Sequence, residues 1–150
     1  MSENTASASG SELRKLLASR DIQHVVVLGA NGTMGYGSAA LFTQAVPRVT
    51  FLARSREKAE EGLAAAIKQV RSPTVASRSD VGDYGVDLEK ALETADIVFE
   101  ALTEDLEIKR GIFDKVEKGR RADSIVATVT SGLSINQLCE GRSDSFRKHF

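Results

Sequence analysis

Apolar residues along this chain gather in short blocks, and the period changes from block to block. His24–Leu28 (HVVVL) is continuous and stops at Gly29, as expected of a strand covered on both faces. Residues 32–45 are rich in small side chains and halt before Pro47, which predicts a helix, and Arg48–Ala53 (RVTFLA) predicts a second strand. Residues 55–69 return to helical spacing, with Leu63, Ala66, Ile67 and Val70 near one side and Glu and Lys on the other. Turn formers then dominate residues 72–87, leaving room for one short strand at VAS (75–77) before the short helix DLEKALETA. DIVFEAL (96–102) predicts a buried strand, and 104–118 a helix carrying Leu106, Ile112, Phe113 and Val116 near one face. SIVATV (124–129) predicts a further strand. Strand and helix alternate throughout, so the expected class is α/β, a doubly wound parallel sheet.

Ahead of this pattern, residues 1–10 (MSENTASASG) are expected to be a disordered polar tail. Ser11 is placed to cap a short added helix over 11–22, with Leu13, Leu16 and Leu17 on one face; the domain proper is expected over 23–150. The 150 residues are 41% hydrophobic and 27% charged, which suits one soluble domain with a sizeable core. Lys and Arg number 20 against 21 Asp and Glu, so no net charge draws the molecule to nucleic acid or an anionic membrane. Cys139 stands alone, which excludes an internal disulfide and a cysteine-built zinc site; no metal site is expected, and a packed thiol in a reducing cytoplasm is. No apolar run is long enough to cross a bilayer, and the cytoplasm is the expected location. His24, at the entrance of a strand, has no visible partner and is expected to be structural or solvated.

The chemistry concentrates where the first strand breaks, in VVVLGANGTMGYG (25–37). A glycine-rich turn between a buried strand and a helix holds a diphosphate: one glycine makes the turn, a second lets phosphate approach the backbone, and a third lets helix and strand pack closely. The helix start adds free N–H groups and partial positive charge. Gly32 and Gly35 fit the second and third positions, while Gly29 lies one residue early, giving G-x-x-G-x-x-G with Asn31 as the inserted residue. Gly29, Asn31, Gly32, Thr33, Met34 and Gly35 are therefore expected to bind a dinucleotide, in the manner of Rossmann-like folds. At the end of the second strand, where an acidic residue usually accepts from the adenosine ribose, this chain has Ala53, Arg54 and Ser55, followed by Arg56 and Lys58. Two readings stand: Arg54 and Ser55 hold a 2′-phosphate, which leans toward NADP, or they are solvated residues at a helix start.

The stretch FEALTEDLEIKRGIFDKV (99–116), then ATVTSGLSI (127–135) and the final HF (149–150), resemble the N-terminal NAD-binding domain of the 3-hydroxyacyl-CoA dehydrogenases, as does LGANGTMGYGSAA. The resemblance spans nearly the whole chain from Val25 onward, and its specific part is E-A-x-x-E-x-L-x-x-K-x-x-x-F followed by T-S-x-L-S-I. It implies hydride transfer between NAD or NADP and the 3-hydroxyl carbon of an acyl-CoA, a helical C-terminal domain absent from this chain, and a homodimer for the full-length protein. It further implies His149 as general acid/base, Ser131 as a ligand of the substrate oxygen, and Glu104 and Lys109 beside the nicotinamide ribose. Each has a plainer reading as well: Glu104 favouring a helix start, Lys109 solvated on a helix, Ser131 capping a turn. The fragment alone is expected to be inactive. A non-catalytic NADP-binding or sensing module, or a dehydrogenase of another small 3-hydroxy acid, is the alternative function.

Overall fold

A computed structural model describes residues 20–150; the expected tail and the helix over 11–22 fall almost wholly outside the described residues. Five strands form one parallel sheet: β1 His24–Leu28, β2 Arg48–Ala53, β3 Ser79–Asp83, β4 Ile97–Glu100 and β5 Ile125–Thr128, in the spatial order β3-β2-β1-β4-β5. The helices are α1 Thr33–Thr43, α2 Arg56–Val70, α3 Pro73–Ser77, α4 Leu88–Thr94, α5 Leu106–Gly119, α6 Ile135–Cys139 and α7 Asp144–Lys148. The doubly wound parallel sheet read from the sequence is the fold.

Strand β1 lies at the centre and shows why a continuous apolar run was needed. Successive side chains of a strand point to opposite faces. Val25 and Val27 join the core formed with Ala39 and Ala40 of α1, Ala59 and Ala66 of α2, and Val75 of α3. Val26 and Leu28 join the other core, with Leu88 and Leu92 of α4, Phe113 and Val116 of α5, Leu138 of α6 and Phe146 of α7. All four β1 residues are fully buried, each contributing roughly 1.5–3 kcal/mol of hydrophobic stabilisation.

Three expectations are corrected. VAS is not a strand: it closes α3, which Pro73 starts at a position that needs no N–H and Ser72 caps by accepting from Thr74. The third strand is SDVGD at 79–83, a sequence too polar for the apolar pattern to reveal; among the described residues it is a sheet edge, paired only with β2. Helix α2 buries Ala59, Gly62 and Ala66 and packs Leu63 and Val70 against the same core, as its alanine-rich spacing suggested, but Ile67 is exposed. A Cβ on Gly62 would sit 2.1 Å from the Ala30 carbonyl oxygen.

Helices α6 and α7 were not foreseen, being five residues each and so too short to show a period. Their sequestered side chains are Leu138 and Phe146, and the rings of Phe113, Phe146 and Phe150 pack at 5.4–5.7 Å. Cys139 packs at the edge of this core, where burial pushes its thiol up, in keeping with a packed residue. His24 is structural as expected: it is buried, and its ring nitrogens share hydrogen bonds with Thr94 Oγ1 (2.9 Å) and Thr50 Oγ1 (2.7 Å). No described helix is long and apolar enough to cross a membrane.

Candidate functional site

The carboxyl ends of β1, β2, β4 and β5 open into a crevice of about 800 Å³, the place where ligands bind in doubly wound sheets. At its centre is the glycine turn. Gly29 adopts φ +76°, and a Cβ there would meet the Ala101 carbonyl oxygen at 2.3 Å, so only glycine passes β4 at this point. The Gly32 N–H donates to the Gly29 carbonyl (3.1 Å), closing the turn. Gly35 is buried beneath, where a Cβ would lie 1.9 Å from the Gly29 oxygen; it is the contact that sets helix against strand. Gly32 differs from both, since a Cβ there would meet only the Gly29 oxygen, at an ordinary 3.6 Å. Its bareness is required by nothing among the described residues and leaves room for a ligand to approach the backbone. The start of α1 has no side-chain cap and no acidic residue in its first turn, so the N–H groups that a helix leaves unpaired at its start face the crevice. These features fit a diphosphate.

Toward β2, the crevice is lined by Arg54 and Tyr84. Arg54 is exposed and makes no ion pair among the described residues, whereas Arg56 bonds Asp87 and Lys58 pairs with Glu61. Ser55 does not line the crevice: it caps α2, its hydroxyl accepting from the Lys58 N–H at 3.2 Å. Tyr84 was not read from the sequence. Its hydroxyl accepts from the Gly29 N–H (2.8 Å) and donates to the Leu52 carbonyl (3.4 Å), spanning the ends of β1 and β2. Burial pushes this hydroxyl up from 10 to about 12, so it stays neutral in both roles.

Toward β4 and β5, the lining includes Thr103, Glu104, Ile108, Val129 and Ser131. Helix α5 starts two residues later than expected, capped by Asp105 accepting from the Ile108 N–H (3.0 Å), which leaves Glu104 free on the loop. The Thr130 hydroxyl bonds the Glu104 carboxylate and, with the Lys109 ammonium 3.6 Å away, holds its pKa below the usual carboxylate range. Lys109 is not a solvated helix residue: it is fully buried, with Nζ donating to Glu100 Oε1 (2.9 Å) and Oε2 (3.1 Å). Glu100, equally buried at the end of β4, also accepts from the Leu102 N–H (2.6 Å) and the Thr128 hydroxyl. The sequence did carry a signal for Glu100, a carboxylate inside the apolar run IVFEAL.

The crevice thus brings together Gly29, Asn31, Gly32, Thr33, Met34, Arg54, Glu104 and Ser131, with Gly35 and Lys109 packed beneath. His149 is not among them. It follows α7, where its Nδ1–H donates to the Ser145 carbonyl (2.8 Å) and its own carbonyl accepts from the Val126 N–H (2.8 Å), level with the middle of β5. The chain's two histidines both lie within the described residues, and neither lines the crevice. No cluster of metal-ligating side chains occurs among the described residues.

Residues 24–150 match the family described as "3-hydroxyacyl-CoA dehydrogenase, NAD binding domain". A probable 3-hydroxyacyl-CoA dehydrogenase of Bacillus subtilis is 39% identical over 88 residues, 56% of this chain and 11% of that protein. The human mitochondrial hydroxyacyl-coenzyme A dehydrogenase is 27% identical over 97% of this chain and 49% of its own length. The crystal structure of (S)-3-hydroxybutyryl-CoA dehydrogenase from Ralstonia eutropha superimposes with a TM-score of 0.69 at 26% identity, covering 83% of this chain and 47% of that one. The chain spans from about a tenth to about half of the length of these relatives.

Proposed function

The chain belongs to the 3-hydroxyacyl-CoA dehydrogenase family through its NAD-binding domain, and on that premise we propose that its crevice holds a nicotinamide dinucleotide for hydride exchange with the 3-hydroxyl carbon of an acyl-CoA. The observation that carries this reading is the uncapped start of α1 behind Gly32, a bare anion site that the fold itself does not need. The diphosphate would lie on Gly32, Thr33 and Met34, the adenosine beside Arg54 and the nicotinamide end beside Glu104 and Ser131. When bound, the cofactor supplies the carbon that accepts or gives hydride. The chain's own part is to fix that end of the crevice and, through the Ser131 hydroxyl, to offer a hydrogen bond to the substrate oxygen.

The proton is a separate matter. His149, the acid/base that the resemblance implies, is held at the middle of β5 by its carbonyl and turned to Ser145 by its ring. Its proposed role requires the segment after α7 to move toward the crevice. A crevice lined by no histidine favours the second reading for these 150 residues taken alone: nucleotide binding without turnover. The acyl-CoA substrate, a homodimer and a reducing cytoplasmic setting are proposed for the whole protein: the first is supported by the family match, the second is implied by the resemblance alone, and the last rests on the lone Cys139.

For the cofactor we propose that NADP binds at least as well as NAD, because Arg54 faces the crevice with no ion-pair partner among the described residues, where a carboxylate would repel a 2′-phosphate. Calorimetric titration with NADH and NADPH tests both statements. Binding of either supports the dinucleotide site, and NADPH binding no weaker than NADH, with the order reversed by Arg54→Asp, supports the role of Arg54. Binding of neither would refute the site; NADH binding much tighter than NADPH would refute the NADP preference.

A further inference from the structure

A fully buried ion pair demands an account, because removing two charges from water costs more than their attraction usually returns, and apolar replacements are often as stable. Glu100 and Lys109 are such a pair, both without exposed surface. The Glu100 carboxylate accepts from the Lys109 ammonium through both oxygens, from the Leu102 N–H and from the Thr128 hydroxyl, so it ties the loop after β4 to the end of β5. Thr128 in turn accepts from the Thr130 N–H (3.1 Å), and the Thr130 hydroxyl bonds Glu104. Two of the three Lys109 donors are spent on Glu100, and the ammonium stands 3.6 Å from the Glu104 carboxylate. One buried carboxylate therefore reaches the half-exposed Glu104 by two routes: through Lys109, and through Thr128 and Thr130.

We infer that Glu100 is a positioning residue for the nicotinamide end of the crevice, acting through Lys109 and the two threonines to hold Glu104 in place. This rests on the proposed cofactor reading and assigns its energetic effect to one half of the ligand. All of the residues in the network lie on the β4 and β5 side, whereas the Gly29 N–H is held by Tyr84, the turn is closed by the Gly32 N–H, and Arg54 lies toward β2. Loss of the network is felt by a ligand that reaches Glu104 and not by one that ends at the diphosphate.

The test compares NADH with ADP, which ends at the diphosphate and lacks both the nicotinamide and its ribose, in calorimetric titrations of the 150-residue chain. Glu100→Gln should weaken NADH by about tenfold or more and ADP by less than about twofold. Because that variant leaves Lys109 buried with a poorer partner, the doubly substituted chain Glu100→Gln with Lys109→Met, neutral and close in volume, is measured alongside and should show the same split. Equal weakening of both ligands, no weakening of either, or failure of both variants to fold would overturn the inference by making the pair purely structural. If the unsubstituted chain bound neither ligand, the cofactor reading itself would fall; if it bound both and the variants showed no split, only the role of Glu100 would.

Discussion

Over β1 and β2 the crevice is shaped by backbone against backbone, at Gly29, Gly35 and Gly62, while over β4 and β5 it is shaped by side chains that bond one another, Glu100, Lys109, Thr128 and Thr130. The first kind of construction leaves its mark on the sequence, because close approach of backbone excludes every residue but glycine. It also tolerates little change: a single methyl group has nowhere to go. The second kind is made of ordinary residues whose meaning depends on what stands opposite, and each member is costly to remove because its partners stay buried. The two ends should therefore fail differently.

The largest expected effect is on the side-chain end. Lys109→Ala strands the Glu100 carboxylate in the core, and urea unfolding should show a loss of about 3–5 kcal/mol. On the backbone end, Gly35→Ala places a methyl 1.9 Å from the Gly29 oxygen, and the forced shift should cost about 1–3 kcal/mol in the same assay. A loss from Lys109→Ala smaller than that from Gly35→Ala would erase the contrast.

A third prediction lies at the opposite, amino-terminal edge of the sheet, away from both ends of the crevice. Burial, aided by Arg48, pushes His24 from 6.5 down to about 4, so the folded state keeps the ring neutral while the unfolded chain takes up a proton. The unfolded state then binds more protons as pH falls from 6.5 to 4, and stability should drop across that window by on the order of 2–3 kcal/mol, with no contribution from this group above it. His24→Gln should flatten the decline; an unchanged slope would contradict the assignment. Smallest of all, Arg48→Ala breaks an exposed ion pair with Asp80 and should change stability by about 0.5 kcal/mol or less, which thermal melting can check.

The same contrast explains what was legible in advance. The parallel sheet, its buried central strand and the glycine turn followed from apolar runs and glycine spacing, and Gly29 makes the tight turn and Gly35 the close helix-to-strand packing expected of them. Strand β3 was misplaced because an edge strand needs no apolar run, and α6 and α7 were missed because five residues carry no period. Lys109 came from family resemblance, and its plainer reading as a solvated residue was wrong, since helical spacing does not say that a carboxylate waits on the strand beneath. Tyr84 reaches the Gly29 N–H from 55 positions away, a contact no local pattern encodes. His149 was taken from a two-residue match at the chain's end, and the fold sets it apart from Ser131.

Gly32 offers the most direct test of the dinucleotide site, because it is the one glycine of the turn whose bareness the fold does not require. NADH should bind the unsubstituted chain in a calorimetric titration, and Gly32→Val should abolish that heat while leaving the far-ultraviolet dichroism and melting temperature close to those of the parent. Binding unchanged in a folded Gly32→Val chain, or no binding by the parent, would contradict the account.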